Sequence, residues 1–191
     1  MPSPPGQDGA EVRPFRDADE FDAWLAVHHG HQPGVWLKLA KAGSGIASMT
    51  SDEAVDVGLC WGWISGQRRG LDGTHYLQKY VPRRPRSRWS QVNVRKVDEL
   101  SRAGRMRPPG LAEVDAAKAD GRWKAAYVSQ KEFTVPDDLR AALDDEPPAA
   151  AAYDALSRTE QYALVLELVT AREPAVREAR LRKALDRLGK D

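Results

Sequence analysis

The chain has 191 residues, which accommodates one domain of ordinary size or a domain with a smaller one appended. Its hydrophobic fraction of 41% excludes a wholly disordered chain, and its formal net charge of +1 excludes binding to polyanions by overall charge alone. The single cysteine, Cys60, excludes an internal disulfide bond and favours a reducing compartment.

The first thirteen residues are rich in proline, glycine and charge, and they predict a disordered leader over residues 1–13. This segment lacks the apolar core of a signal peptide. No apolar run elsewhere approaches the roughly twenty residues that cross a bilayer. We therefore expect a cytoplasmic protein without a membrane span.

The next segment predicts a helix, a strand and a second helix. Asp17 and Glu20 resemble a capping box, and apolar residues at helical spacing follow them. The composition of residues 35–40 predicts a strand. Thr50 and Glu53 form a further capping box at the start of the second helix.

A β-hairpin is predicted after this helix. Residues 64–70 and 74–81 have strand-like patterns, and Asp72-Gly73 between them is a dipeptide typical of hairpin turns. Alternate residues of each strand should share one face of the sheet. An antiparallel sheet is the simplest arrangement of these strands.

Helical patterns dominate the rest of the chain. Pro82 and Pro85 keep the segment after the hairpin out of the sheet, and Ser87 or Ser90 begins the next helix. We predict an α+β fold, in which residues 14–130 form an antiparallel sheet with helices packed on it. Residues 131–191 then form a helical C-terminal subdomain.

The stretch 61–94 combines aromatic and cationic residues. Residues 65–110 hold twelve lysines and arginines against three acidic residues, whereas the remainder holds seventeen against twenty-five. Aromatic faces and guanidinium groups together suit anionic or flat ligands. We predict a pocket between sheet and helices lined by seven residues. They are Trp63, Gln67, Tyr80, Arg84, Arg86, Trp89 and Asn93.

Other chemical motifs are weaker. Cys60 lies in an apolar helix without a charged neighbour, which is typical of an inert buried thiol. The histidines of residues 28–31 fit no structural zinc spacing, and residues 41–45 resemble a phosphate cradle only loosely because the Walker ending is absent. We therefore predict no metal, no cofactor and no catalytic residue.

Several motifs, in order along the chain, resemble the YdeI/OmpD-associated family, also called bacteriocin-protection proteins. They are Glu53-Ala54-Val55, residues 59–64, residues 80–85, Trp89-Ser90, Asn93-Val94, Gly104-Arg105-Met106, residues 116–123 and residues 136–139. The resemblance covers about residues 15–188, with a departure at Ser65, where the family often has an acidic residue. It implies a YjbR/CyaY-like N-terminal fold, a helical C-terminal part and a link to envelope stress and survival of antimicrobial peptides.

Three functions are compatible with these observations. The leading one is a non-catalytic protection protein that sequesters an anionic or aromatic small molecule, or a peptide. The second is nucleic-acid binding by the same basic aromatic face, with affinity that falls steeply as salt rises. The third is an enzyme that modifies an antimicrobial compound, for which His75 and Asp72 are the only titratable pair close to the basic stretch.

Overall fold

The computed structural model describes residues 8–31, 33–130 and 132–189. These residues form four strands and eight helices, which confirms the predicted α+β class with helices after the sheet. The chain divides into two compact units, the first within Met1–Ser87 and Lys96–Ala116 and the second within Arg88–Arg95 and Ala117–Asp191. The predicted sheet domain, 14–130, and helical subdomain, 131–191, have other bounds and stay a prediction.

The first unit contains one four-stranded sheet. Its strands are β1 (Glu11–Pro14), β2 (Val35–Ala40), β3 (Trp63–Gly70) and β4 (His75–Pro82). They lie in the order β1-β2-β4-β3, with β1 parallel to β2 and the other pairs antiparallel. The predicted hairpin is therefore present, and the sheet is mixed because of its first strand.

Strand β1 corrects the prediction of a disordered leader. Residues 1–7 of that leader lie outside the described residues, but Glu11 pairs with Val35 and Pro14 with Lys38. An edge strand needs hydrogen bonds on one side only, so a segment that ends in proline can still join the sheet.

Two helices pack on one face of this sheet. Helix α1 (Ala18–His28) begins where the Asp17 side chain accepts a hydrogen bond from the Glu20 N–H, and α2 (Ser51–Cys60) begins at the predicted capping box. The core between helices and sheet consists of large side chains that are almost fully buried. They include Phe21, Trp24, Leu25, Val35, Leu37, Leu39, Trp63 and Tyr80. We call this side of the sheet the helix-covered face.

A β-bulge interrupts the pairing of β3 with β4. Ser65 pairs with Tyr80 and Arg68 with Gln78, so β3 contains one residue more than β4 over this interval. A bulge resets the alternation of side chains along a strand. Arg68 therefore shares the helix-covered face with Ser65, and Arg69 lies on the opposite face.

A glycine beside the sheet permits a close approach of two backbone segments. Gly34 has a φ of +75°, and a Cβ at this position would collide with the carbonyl oxygen of Tyr80. Because both the backbone conformation and the space favour glycine, this residue determines how the chain enters β2.

Helices α3 (Gln91–Arg102) and α4 (Pro108–Ala119) contribute residues to both units. Of the two serines predicted to begin α3, Ser90 does so, because its Oγ accepts a hydrogen bond of 3.2 Å from the Asn93 N–H.

The second unit contains four further helices: α5 (Asp137–Asp145), α6 (Pro147–Ala155), α7 (Arg158–Val169) and α8 (Pro174–Leu188). Their core includes Leu139, Tyr153, Leu164, Val165 and Leu168. Across the part of the chain that the structure describes, no helix combines the length and apolar character needed to cross a membrane.

Candidate anion-binding site

Three of the seven residues predicted to line a pocket are core side chains. Trp63, Tyr80 and Trp89 are each 1% exposed. Trp63 donates its indole N–H to the His29 carbonyl oxygen at 2.8 Å, and the Tyr80 ring meets Phe21 edge-on. Burial of their large apolar area stabilises the fold, so in this structure these rings present no open face to a ligand.

The other four predicted residues are more accessible. Gln67, Arg84 and Arg86 are exposed, and Asn93 is half-buried. Asn93 and Trp89 belong to the second unit, whereas the remaining five belong to the first.

Gln67 and Arg84 come together at a concavity of about 300 Å³. We call it the cationic hollow, and its lining residues are Asp8, Gly66, Gln67, Arg69, Lys79, Val81 and Arg84. Three of these side chains are cationic. Asp8 is the one acidic residue among the described residues that line it.

The register of the sheet creates this hollow. Lys79 pairs with Trp36, and Arg69 pairs with Leu77, so these four residues share the face opposite to the helices. The Arg69 guanidinium carbon lies 5.0 Å from the Trp36 ring centre, and the Lys79 ammonium lies 5.7 Å from it. Trp36 is 0% exposed because the side chains of Arg69 and Lys79 lie over it. On this face of the sheet, opposite to the helices, charged side chains therefore cover an apolar layer. We call this face the cation-covered face.

Asp8 places a carboxylate in the hollow. Its Oδ2 lies 2.6 Å from Lys79 Nζ, and its Oδ1 accepts a hydrogen bond of 3.1 Å from the Ala10 N–H. The Lys79 hydrogen bond is the main cause of the lowered pKa of Asp8. The buried Trp36 N–H makes no hydrogen bond within the described residues, yet it lies near enough to Asp8 to favour the charged carboxylate.

Sequence reasoning missed Asp8, Arg69 and Lys79 as members of one site. Asp8 and Lys79 are 71 positions apart, and only the pairing of β1 with β2 and of β2 with β4 brings them together. For Arg69 and Lys79 the sequence did contain a signal, since both belong to the stretch 61–94 that combines aromatic and cationic residues.

The residues considered for covalent or acid–base chemistry, Cys60 and Asp72, have contacts typical of a structural role. Cys60 is buried, and burial raises the pKa of its thiol to about 11. Asp72 accepts hydrogen bonds from the Thr74 and His75 N–H groups, which lower its pKa to about 2. At neutral pH it therefore stabilises the hairpin turn as a carboxylate. The described residues hold no cluster of metal-ligating side chains.

Comparisons with known families match two separate segments. Residues 132–190 match the family described as Bacteriocin-protection, YdeI or OmpD-Associated, which supports the predicted resemblance for the C-terminal part. No curated protein and no solved structure matches the chain, and the YjbR/CyaY-like fold of the N-terminal part stays a prediction. Residues 13–113 match the family described as a domain of unknown function, DUF8412. This match covers more than half of the 191 residues, and the chain therefore belongs to the DUF8412 family.

Proposed function

We propose that this protein is a non-catalytic binding protein that holds an anionic small molecule, or an acidic side chain of a peptide, in the cationic hollow. The observation that carries the proposal is the contact of Asp8 with Lys79, because a carboxylate already occupies part of the hollow. An external carboxylate or similar anion would be recognised by the same chemistry.

The charges of the hollow support this proposal. Asp8 balances the charge of Lys79, one of the three cations, and Arg69 and Arg84 are the other two cations of the lining. Arg69 is held in place, since it stacks on Trp36 and its Nη2 donates a hydrogen bond of 3.1 Å to Gln67 Oε1. A guanidinium that is already oriented loses less conformational entropy when an anion binds.

The size of the hollow restricts the ligand. A volume of about 300 Å³ lies at the lower end of the range for small-molecule sites. A small acid or a single acidic side chain fits this volume better than a large planar compound does. The match of residues 132–190 to a bacteriocin-protection family supports a protective role, which we propose is carried out in the cytoplasm by sequestration of the ligand.

Isothermal titration calorimetry of the full chain with citrate and with a hexaglutamate peptide tests this proposal. We expect Arg69→Ala and Lys79→Ala to weaken binding at least tenfold. Asp8→Asn should strengthen binding, since it removes the competing carboxylate. Arg86→Ala is the matched control, because Arg86 is an exposed cation outside the residues that line the hollow. Absence of binding by the wild type, or equal binding by Arg69→Ala, would contradict the proposal.

Nucleic-acid binding is the alternative for the same basic region, and it requires exposed rings for base stacking. Trp63, Tyr80 and Trp89 are buried, so they offer no such surface in this conformation. Titration with a short oligothymidylate at low salt separates the alternatives. Binding that disappears steeply as salt rises, together with no binding of citrate, would favour nucleic acid.

A further inference from the structure

A second concavity of about 440 Å³ lies in the first unit, next to Arg68. It is lined by residues 40–46 and 48–51 together with Arg68 and Tyr76. These include the glycine-containing segment 41–45, which resembles a phosphate cradle only loosely in sequence. We call this concavity the glycine-loop hollow.

Arg68 is held rigidly at this hollow. Its guanidinium carbon lies 4.6 Å from the Tyr76 ring centre, and its Nη2 donates a hydrogen bond of 3.0 Å to Ser51 Oγ. Its Nε donates another, of 2.8 Å, to Gln78 Oε1. Stacking and two directed hydrogen bonds leave the guanidinium little freedom to rotate.

Gln78 is a buried support for this arginine. It is 4% exposed, and its Nε2 donates to the carbonyl oxygens of Gly66 and Gln67 at 2.9 and 3.1 Å. Because both partners are acceptors, the NH₂ end of the Gln78 amide must face them, and its Oε1 must face Arg68. The β-bulge supplies both carbonyl groups, and it also turns Arg68 toward the helix-covered face.

The lining of the glycine-loop hollow is suited to an anion. Lys41 and Arg68 are cationic, and none of its described lining residues is acidic. Two acidic residues in the first turn of α2 have other partners. Glu53 Oε2 accepts from the Thr50 N–H and Oγ1 at 2.8 Å each, and Asp52 Oδ1 lies 3.1 Å from Lys96 Nζ. The helix start is thus already capped, and the preformed donor in this hollow is Arg68.

We propose that Arg68, assisted by Lys41, forms a second binding site for an oxyanion, a phosphate or a carboxylate carried by a small ligand. The contacts to Ser51 and Gln78 use two of the five guanidinium N–H groups. The remaining N–H groups suit two oxygens of one anion. This site is separate from the cationic hollow, since Arg68 and Arg69 lie on opposite faces of the sheet.

The test uses the full chain labelled with ¹⁵N and follows the side-chain Nε–H signal of Arg68, which Arg68→Ala identifies by its loss. Inorganic phosphate and acetate are titrated separately, so that the response distinguishes the two anions. We expect the signal to shift in a saturable way with at least one of them. An unchanged signal with both anions would overturn the proposal.

Matched variants then separate this site from the cationic hollow. Calorimetry is done in an Arg69→Ala background, in which the cationic hollow is weakened. Binding of the effective anion should there weaken at least tenfold on adding Arg68→Ala and by a smaller factor on adding Arg68→Lys, which keeps the charge but loses the forked donors. For Arg69→Ala, the Arg68 signal should shift as in the wild type, within a factor of two in affinity. Equal binding by Arg69→Ala with and without Arg68→Ala, in protein shown to be folded by circular dichroism, would refute the site even if citrate binds elsewhere.

Discussion

The two faces of the sheet use arginine and aromatic residues in different ways. On the helix-covered face, α1 and α2 exclude water from apolar side chains, and Arg68 stacks on Tyr76 beside that core. On the cation-covered face, Arg69 and Lys79 lie over Trp36. The difference teaches that a buried aromatic residue can be covered by charged side chains as well as by an apolar core.

The largest expected difference between the two faces is in stability. Leu37 is fully buried on the helix-covered face, so Leu37→Ala should lower the free energy of unfolding by about 2–5 kcal/mol. Val12 lies on the other face and is 43% exposed, and Val12→Ala should change stability by less than about 1 kcal/mol. Urea denaturation measures both. Similar losses for the two variants would contradict the distinction between the faces.

The two adjacent arginines provide a sharper test. Arg68→Ala leaves the Oε1 of buried Gln78 without its donor, which should cost about 1–3 kcal/mol of stability. Arg69→Ala removes a cation–π contact over Trp36, for which about 0.5–1 kcal/mol is expected. Thermal and urea denaturation of both variants would show whether this order is correct. A greater loss of stability for Arg69→Ala than for Arg68→Ala would contradict this order.

The smallest expected effect is a dependence of stability on pH at the cation-covered face. The pKa of Asp8 is lowered in the folded state, chiefly by Lys79, from an ordinary value of about 3.8. Its contribution is therefore fully present above pH 3.8 and is lost as the pH falls through the lower folded value. Wild type should be slightly more stable than Asp8→Asn at pH 7, and this difference should shrink below pH 3.8. A difference in melting temperature that persists unchanged at pH 2 would exclude the ion pair as its cause.

Much of the fold follows from local sequence signals. The capping box of Thr50 with Glu53 and the Asp72-Gly73 turn act over a few residues, and the structure contains both. Strand β1 was missed because an edge strand is selected by backbone pairing with a partner more than twenty residues away, and not by a pattern of its own.

The candidate sites were less predictable. Simple alternation along β3 fails at the bulge, because one extra residue changes the side to which every later side chain points. A list of aromatic residues also does not reveal which rings will be buried. Gln67 and Arg84 are the two predicted residues that line the cationic hollow, whereas the place of Asp8 required the full strand order.

Gln67 has contacts that lead to both Arg68 and Arg69. Its carbonyl oxygen accepts from the Gln78 amide that orients Arg68, and its own side-chain oxygen accepts from Arg69. A displacement of this one residue would reach both guanidinium groups at once. The two hollows, which lie on opposite faces of the sheet, therefore have Gln67 as a common neighbour.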